Sequence, residues 1–281
     1  MRRQLAVRVA SGSAMAALTI GAILVGPPAL TLLGLVGGAV ALYEVLRLTP
    51  PGVGRLPLVP GLLAVAALLL AAEAASGPAD FLAASGVVLA LWALAAALWF
   101  TAAYEGERPV SGFLLLLLGP VYAGFLLGHG LAIYDVSSAM EGADDLGRNW
   151  LLFTLAGTSA SDTGAYAFGR LIGRHRMTPG LSPNKTWEGA AGGLIASVAA
   201  MLAVGALLEM GVELWQYAVA ALMVAVVAQL GDLFESFLKR RAEAKDSGSI
   251  MPGHGGLLDR IDSILFALPA VYYLLTLVFG L

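Results

Sequence analysis

Residues 81–100 read FLAASGVVLALWALAAALWF, twenty consecutive positions without one charged side chain. A helix rises about 1.5 Å per residue, so this run alone covers the roughly 30 Å hydrocarbon core of a bilayer. Residues 62–72, LLAVAALLLAA, repeat the character upstream. Across all 281 residues 59% are hydrophobic and 12% charged, where soluble domains carry about 25% charge. A water-soluble exterior cannot be assembled from this composition, and lipid is the solvent for most of the chain. Cysteine is absent, which excludes disulfides, thiolate nucleophiles and cysteine-held metals.

By the measure of about 20 apolar residues per crossing, nine candidate spans lie near 7–25, 28–46, 56–76, 80–100, 110–130, 149–169, 189–210, 214–233 and 262–281. Arg2 and Arg3 before an apolar run have the look of a signal peptide, but Pro27-Pro28 turns straight into further spans, so the first is read as retained. The expected fold class is therefore all-α, a polytopic integral membrane protein with about nine transmembrane helices. With the N-terminus cytoplasmic, nine alternating spans place every one of the 16 basic residues except Arg148 on the inside. Two cytoplasmic segments, 170–188 and 234–261, stand apart in being rich in Gly, Ser, Pro, Asn and charge. The chain is expected to divide into an N-terminal set of spans, 1–148, and a C-terminal region, 149–281, that holds both polar segments and any chemistry.

Residues 231–262 read GDLFESFLKRRAEAKDSGSIMPGHGGLLDRID. Glu235, Ser236 and Lys239 follow Asp232 at helical spacing and share a face with it on a continuing helix. The runs Asp246 to Ser249 and Pro252 to Gly256 break that helix, and glycine backbone lets N–H groups approach phosphate oxygens. A helical pattern resumes at Leu257, with Asp259 and Asp262 on adjacent turns and an N-terminus suited to anions. Mg²⁺ takes one or two carboxylates plus waters and substrate phosphates, and Asp232, Asp246, Asp259 and Asp262 supply more than enough. No HExxH, Walker A or Ser/His/Asp arrangement is present, which points to metal-assisted phosphoryl or nucleotidyl transfer. Taken singly, Arg241 reads better as a topology anchor for anionic headgroups and His254 as a hydrogen-bonded loop residue.

Upstream, Asp162, Tyr166 and Arg170 fall at four-residue steps on one helical face, and an aspartate inside a span marks function. Ser182-Pro183 has the form of an N-cap followed by proline at the first helical position, which would present N–H groups and Lys185 to a phosphate. Ser159, Ser161 and Thr163 taken singly read as polar contacts between packed helices. Glu44 reads as paired with Arg47 one turn on, and Glu73 has no assigned place.

The run Ser236-Phe237-Leu238-Lys239-Arg240, Lys245-Asp246, His254-Gly255-Gly256 and Asp259-Arg260-Ile261-Asp262 resembles the signature of phosphatidate cytidylyltransferases, the CDP-diacylglycerol synthases. The stretches 161–166 and 182–189 resemble that family's nucleotide and phosphate segments, with Asn184 where Lys is frequent and Met251 where Leu, Ile or Phe is usual. The resemblance is sharp over 150–262 and architectural before that, and it implies that 149–281 is the catalytic region while the spans of 1–148 wall a lipid cavity, form a dimer, or do both. It implies that the phosphate of phosphatidic acid attacks the α-phosphorus of CTP and that pyrophosphate leaves. It implies Mg²⁺ on Asp232 and Asp259, with Asp246 as a third ligand, and Lys239 and His254 at the reacting phosphates. Substrate contacts are implied for Ser161, Asp162, Lys185, Ser236, Arg240, Lys245, Gly255, Gly256 and Arg260. It further implies a monovalent co-cation such as K⁺, a homodimer, membrane lipids as surroundings, no nucleic acid partner, and an inner (cytoplasmic) membrane location with the site facing the cytoplasm. Rival readings are a polyprenol kinase or CDP-alcohol phosphotransferase, whose Asp-Gly-x-x-Ala-Arg pattern is missing, and an ion-coupled transporter, whose polar groups belong at the midplane.

Overall fold

The structure is a computed structural model that describes residues 2–136, 145–208, 210, 212–251, 253 and 255–281, with 2–6 and 8 in backbone only. Among the described residues there are ten α-helices: α1 Arg2–Val25, α2 Pro27–Arg47, α3 Leu58–Ala74, α4 Pro78–Ala103, α5 Pro109–Pro120, α6 Leu126–Asp135, α7 Leu146–Ile172, α8 Trp187–Leu208, α9 Leu214–Arg241 and α10 Leu258–Tyr273. Six segments among the described residues are long and apolar enough to cross a membrane: α2, α4, the run Pro109–Asp135, α8, α9 and Leu258–Phe279. Val9–Val25 and Leu58–Ala74 are apolar but shorter. Helix α7, the expected sixth span, is 27 residues long but carries the polar run from Thr158 to Thr163. A multi-pass, helical membrane protein is thus what the chain folds into.

Proline explains several boundaries. It stands in the first turn of α2, α4 and α5, where the missing N–H costs nothing and φ is already helical. Pro120 ends α5 and a π-helical turn, Val121–Phe125, follows before α6. A lost backbone donor is a recognised cause of such a slip in the ladder.

Contacts divide the chain into two compact units, each discontinuous in sequence. The first comprises residues 1–135 and 238–260. Lipid tails are as apolar as leucine, so close backbone approach rather than hydrophobic exclusion must hold its helices together. A Cβ on Gly38 of α2 would stand 2.9 Å from Val65 Cγ1 of α3, and one on Gly61 of α3 3.0 Å from Leu42 Cδ2. Phe81 stacks on Phe125 at 5.8 Å and meets the His129 ring edge-on at 4.9 Å, closing the core of α4 and α6.

The second unit comprises residues 136–237 and 261–281. Its α7 and α8 lie together at Gly164 and Gly193, where a Cβ on Gly193 would stand 2.8 Å from the Ser161 carbonyl. Gln229 of α9 donates to the Ala190 carbonyl of α8 at 3.0 Å. Buried Trp150 packs edge-on against Phe153 at 5.0 Å and faces Tyr217 at 6.4 Å.

The all-α class holds, with one short interruption between α7 and α8. Arg176–Thr178 (β1) and Ser182–Thr186 (β2) form an antiparallel ribbon. The expected N-cap at Ser182 with Pro183 at the first helical position is accordingly wrong. Proline is tolerated here because a two-stranded ribbon leaves one edge of each strand without ladder bonds. The cap is Thr186, whose Oγ1 accepts the Gly189 N–H at 3.1 Å, with α8 starting at Trp187. Glu188 then folds back to take the Arg174 and His175 N–H groups at 3.1 and 3.2 Å and His175 Nδ1 at 2.6 Å.

Candidate functional site

In the first unit the polar centre is built from residues 246–251 and 255–257 and the ends of the helices beside them. Lys239, in the last turn of α9, reaches Asp259 Oδ1 at 2.6 Å. Asp259 Oδ2 accepts the Gly256 N–H at 2.8 Å, the Ser247 hydroxyl at 2.9 Å and the Ser247 N–H at 3.0 Å. Because Asp259 sits in the first turn of α10, its carboxylate reaches back to a loop amide much as a capping-box acid does. Gly255 adopts φ +89°, and a Cβ there would meet Asp259 Oδ2 at 2.8 Å and Asp246 Cβ at 3.4 Å. Asp246 and Asp259 therefore flank the same glycine. Lys245, Asp246, Arg240 and Arg260 are exposed around this centre.

Glu44 joins it, and here the sequence expectation fails. Glu44 is not paired with Arg47. Its oxygens take the Leu258 N–H at 2.7 Å, the Leu257 N–H at 3.0 Å and the Ser247 hydroxyl at 3.2 Å. Arg47 instead donates to the Tyr43 hydroxyl at 3.0 Å and lies over that ring. The first amides of α10 lack intrahelical acceptors, and a buried carboxylate is the stronger partner for them than an exposed guanidinium one turn away is for it.

In the second unit carboxylates gather. One oxygen each of Asp232, Glu235 and Asp262 lies within 4.8 Å of the others, with Glu235 and Asp262 buried. The cluster forms because Gly231 of α9 lets α10 come in against it: a Cβ there would collide with the Asp262 carbonyl. Lys185, at the end of β2, stands 2.7 Å from Asp232 Oδ2. Asp162 of α7 accepts the Ser263 hydroxyl at 3.3 Å. Ser161 next to it is fully buried, and its hydroxyl has no hydrogen-bond partner among the described residues. Arg170 donates to Tyr166 at 2.9 Å, as their four-residue spacing suggests.

Of the expected site residues, Lys239, Asp246, Gly255, Gly256 and Asp259 come together in the first unit. Asp162, Lys185 and Asp232 belong to the second, and Ser236 is half-buried on α9. His254 lies outside the described residues. Sequence reasoning under-used Glu44, Ser247, Glu235 and Asp262. The signals were an acidic residue inside a span and the three-residue spacings Asp232 to Glu235 and Asp259 to Asp262.

Three carboxylates at this spacing repel one another and offer hard oxygen ligands, a donor set that fits a divalent ion such as Mg²⁺. The sequence profile of the Cytidylyltransferase family matches residues 6–278. A protein of Bacillus subtilis (strain 168) named phosphatidate cytidylyltransferase is 32% identical over 270 residues, covering 96% of this chain and 97% of its own. Proteins of the same name from Staphylococcus saprophyticus (40% identical, 59% of each chain) and Staphylococcus epidermidis (43% identical, 46% of this chain and 50% of theirs) match shorter stretches.

Proposed function

The chain belongs to the cytidylyltransferase family, and from that premise we propose that it is a phosphatidate cytidylyltransferase, making CDP-diacylglycerol and pyrophosphate from CTP and phosphatidic acid. A phosphate oxygen of phosphatidic acid bonds to the α-phosphorus of CTP as the α–β anhydride bond breaks. The observation that carries the reading is the carboxylate cluster Asp232, Glu235 and Asp262 on a chain matched to the family over residues 6–278.

Asp232 would hold Mg²⁺, with Asp262 and Glu235 beside it. Asp259 and Asp246 are assigned as further ligands on the resemblance of 236–262 to the family signature. Bound there, the ion supplies neutralisation of phosphate charge. Lys185 and Lys239 are each held on a carboxylate, so their ammonium groups are already oriented when polyanions arrive, and orientation is where most of phosphoryl-transfer catalysis resides. Arg240, Lys245 and Arg260 are exposed for phosphate contacts, and Arg adds a planar two-point fork. Gly255 and Gly256 are assigned to the substrate side on the resemblance to the family signature. Ser161, Asp162 and Ser236 are assigned to the nucleotide side, and His254 to the triphosphate. Acyl chains stay in lipid while the headgroup meets CTP at the cytoplasmic face.

Nine spans, a cytoplasmic N-terminus and an inner-membrane location are part of this reading, supported by the one-sided distribution of Lys and Arg. A co-cation such as K⁺ and a homodimer rest on the resemblance alone.

The test uses purified protein, phosphatidic acid, labelled CTP and Mg²⁺, with an EDTA control and an Asp232→Asn variant. Lipid-extractable label should appear only with metal and intact Asp232. Wild-type protein that labels no lipid, while turning over another nucleotide or a lipid alcohol, would overturn the substrate assignment.

A further inference from the structure

Glu44 is the single acidic residue of α2 and is 1% exposed. A carboxylate in such a place is costly unless its oxygens are answered. The three donors described for it all come from the far end of the chain: the Ser247 hydroxyl and the Leu257 and Leu258 amides. The two amides open α10 and have no acceptor in their own helix, so Glu44 does from another helix what an N-cap side chain does from its own. The loop is shaped to this carboxylate. A Cβ on Gly248 or Gly256 would run into Glu44, so backbone alone fits there.

Ser247 connects this contact to the chemistry. Its hydroxyl carries one proton and lies between two carboxylates, 3.2 Å from Glu44 Oε2 and 2.9 Å from Asp259 Oδ2. Which carboxylate receives the proton affects how much negative charge Asp259 presents to Lys239 and to any bound cation or phosphate. Resting on the transferase reading above, we propose that Glu44 is a positioning residue of the catalytic loop. It holds Ser247, Leu257 and Leu258 in place and, through Ser247, sets the orientation of Asp259. The N-terminal helices thereby contribute to the reaction, beyond surrounding the lipid.

The experiment uses full-length protein in nanodiscs: wild type, Glu44→Gln, Glu44→Asp, Ser247→Ala, the Glu44→Gln/Ser247→Ala double variant, and Glu73→Gln as a carboxylate control from α3. It reads kcat, KM for each substrate, unfolding midpoint, and amide exchange of the peptide spanning 246–258. Because sub-ångström misplacement is amplified in rate, Glu44→Gln should lower kcat about 10- to 100-fold. KM for phosphatidic acid and the unfolding midpoint should hold, and exchange across 246–258 should speed up. Glu44→Asp should recover part of the rate, the double variant should be no slower than its slower parent, and Glu73→Gln should match wild type. Wild-type kcat in Glu44→Gln, additive losses in the double variant, or a loss that tracks a collapsed unfolding midpoint would overturn the proposal. Should wild type label no lipid, the transferase reading fails by itself. Exchange then decides the positioning role, with unchanged rates at 246–258 counting against it.

Discussion

Lys239 Nζ stands 2.6 Å from Asp259 Oδ1, with the two side chains only 15% and 7% exposed. An ion pair so far out of water has large opposing terms, and removing one partner strands the other. Asp259 keeps three other donors, which limits the cost. Lys239→Met is expected to destabilise by about 1–3 kcal/mol, read as a lowered unfolding midpoint, and to reduce CDP-diacylglycerol formation far more than that loss of folded protein explains.

Lys185 and Asp232 make the contrasting case, since their side chains are 22% and 36% exposed. Pairs in that setting contribute about 0–1 kcal/mol. Lys185→Met should therefore leave the unfolding midpoint nearly unchanged while raising KM for CTP about tenfold or more, the loss expected for one charge-assisted phosphate contact. A large stability loss would show the lysine to be structural.

On the proposed reading, removing a carboxylate from the cluster should appear first as a changed Mg²⁺ dependence. Asp262→Asn and Glu235→Gln are each expected to raise the Mg²⁺ concentration for half-maximal rate, by about tenfold or more if each supplies a metal contact or orients one. A Mg²⁺ titration at saturating CTP and phosphatidic acid checks this. Unchanged titrations in both variants would remove these two residues from the metal site.

The loop glycines should be intolerant for different reasons. A Cβ at Gly256 would meet the Ser247 hydroxyl and the Glu44 carboxylate, an overpacking worth about 1–3 kcal/mol. At Gly255 the φ of +89° would cost alanine about 1–2 kcal/mol of backbone strain. Gly180, where an added Cβ would find nothing within 4 Å, should accept alanine without effect on melting or rate. Thermal unfolding and turnover of the three alanine variants check the ranking.

Thr186→Ala should cost about 1 kcal/mol by removing the cap on α8, and Thr186→Ser should restore it. Ser182→Ala should change the melting little, since Ser182 belongs to β2 and caps nothing. Thermal unfolding of the three variants side by side distinguishes the two assignments.

From the sequence by itself came the membrane character, the approximate place of each apolar helix, the two polar segments and the reaction class. These depend on local composition and on spacing along one helix: apolar runs must lie in lipid, and a long position-specific signature keeps its meaning whatever surrounds it. The face shared by Asp232 and Glu235 was readable for the same reason. What that face meets was not. Asp262 joins Asp232 because Gly231 admits α10, and Glu44 meets Leu257 across 213 positions of chain. Capping at Thr186 rather than Ser182 followed from ribbon formation, which depends on pairing with 176–178. For the carboxylate cluster and for Glu44 the deciding partner is remote in sequence. A buried carboxylate takes whichever donors packing brings within about 3 Å, and only the tertiary structure decides which donors those are.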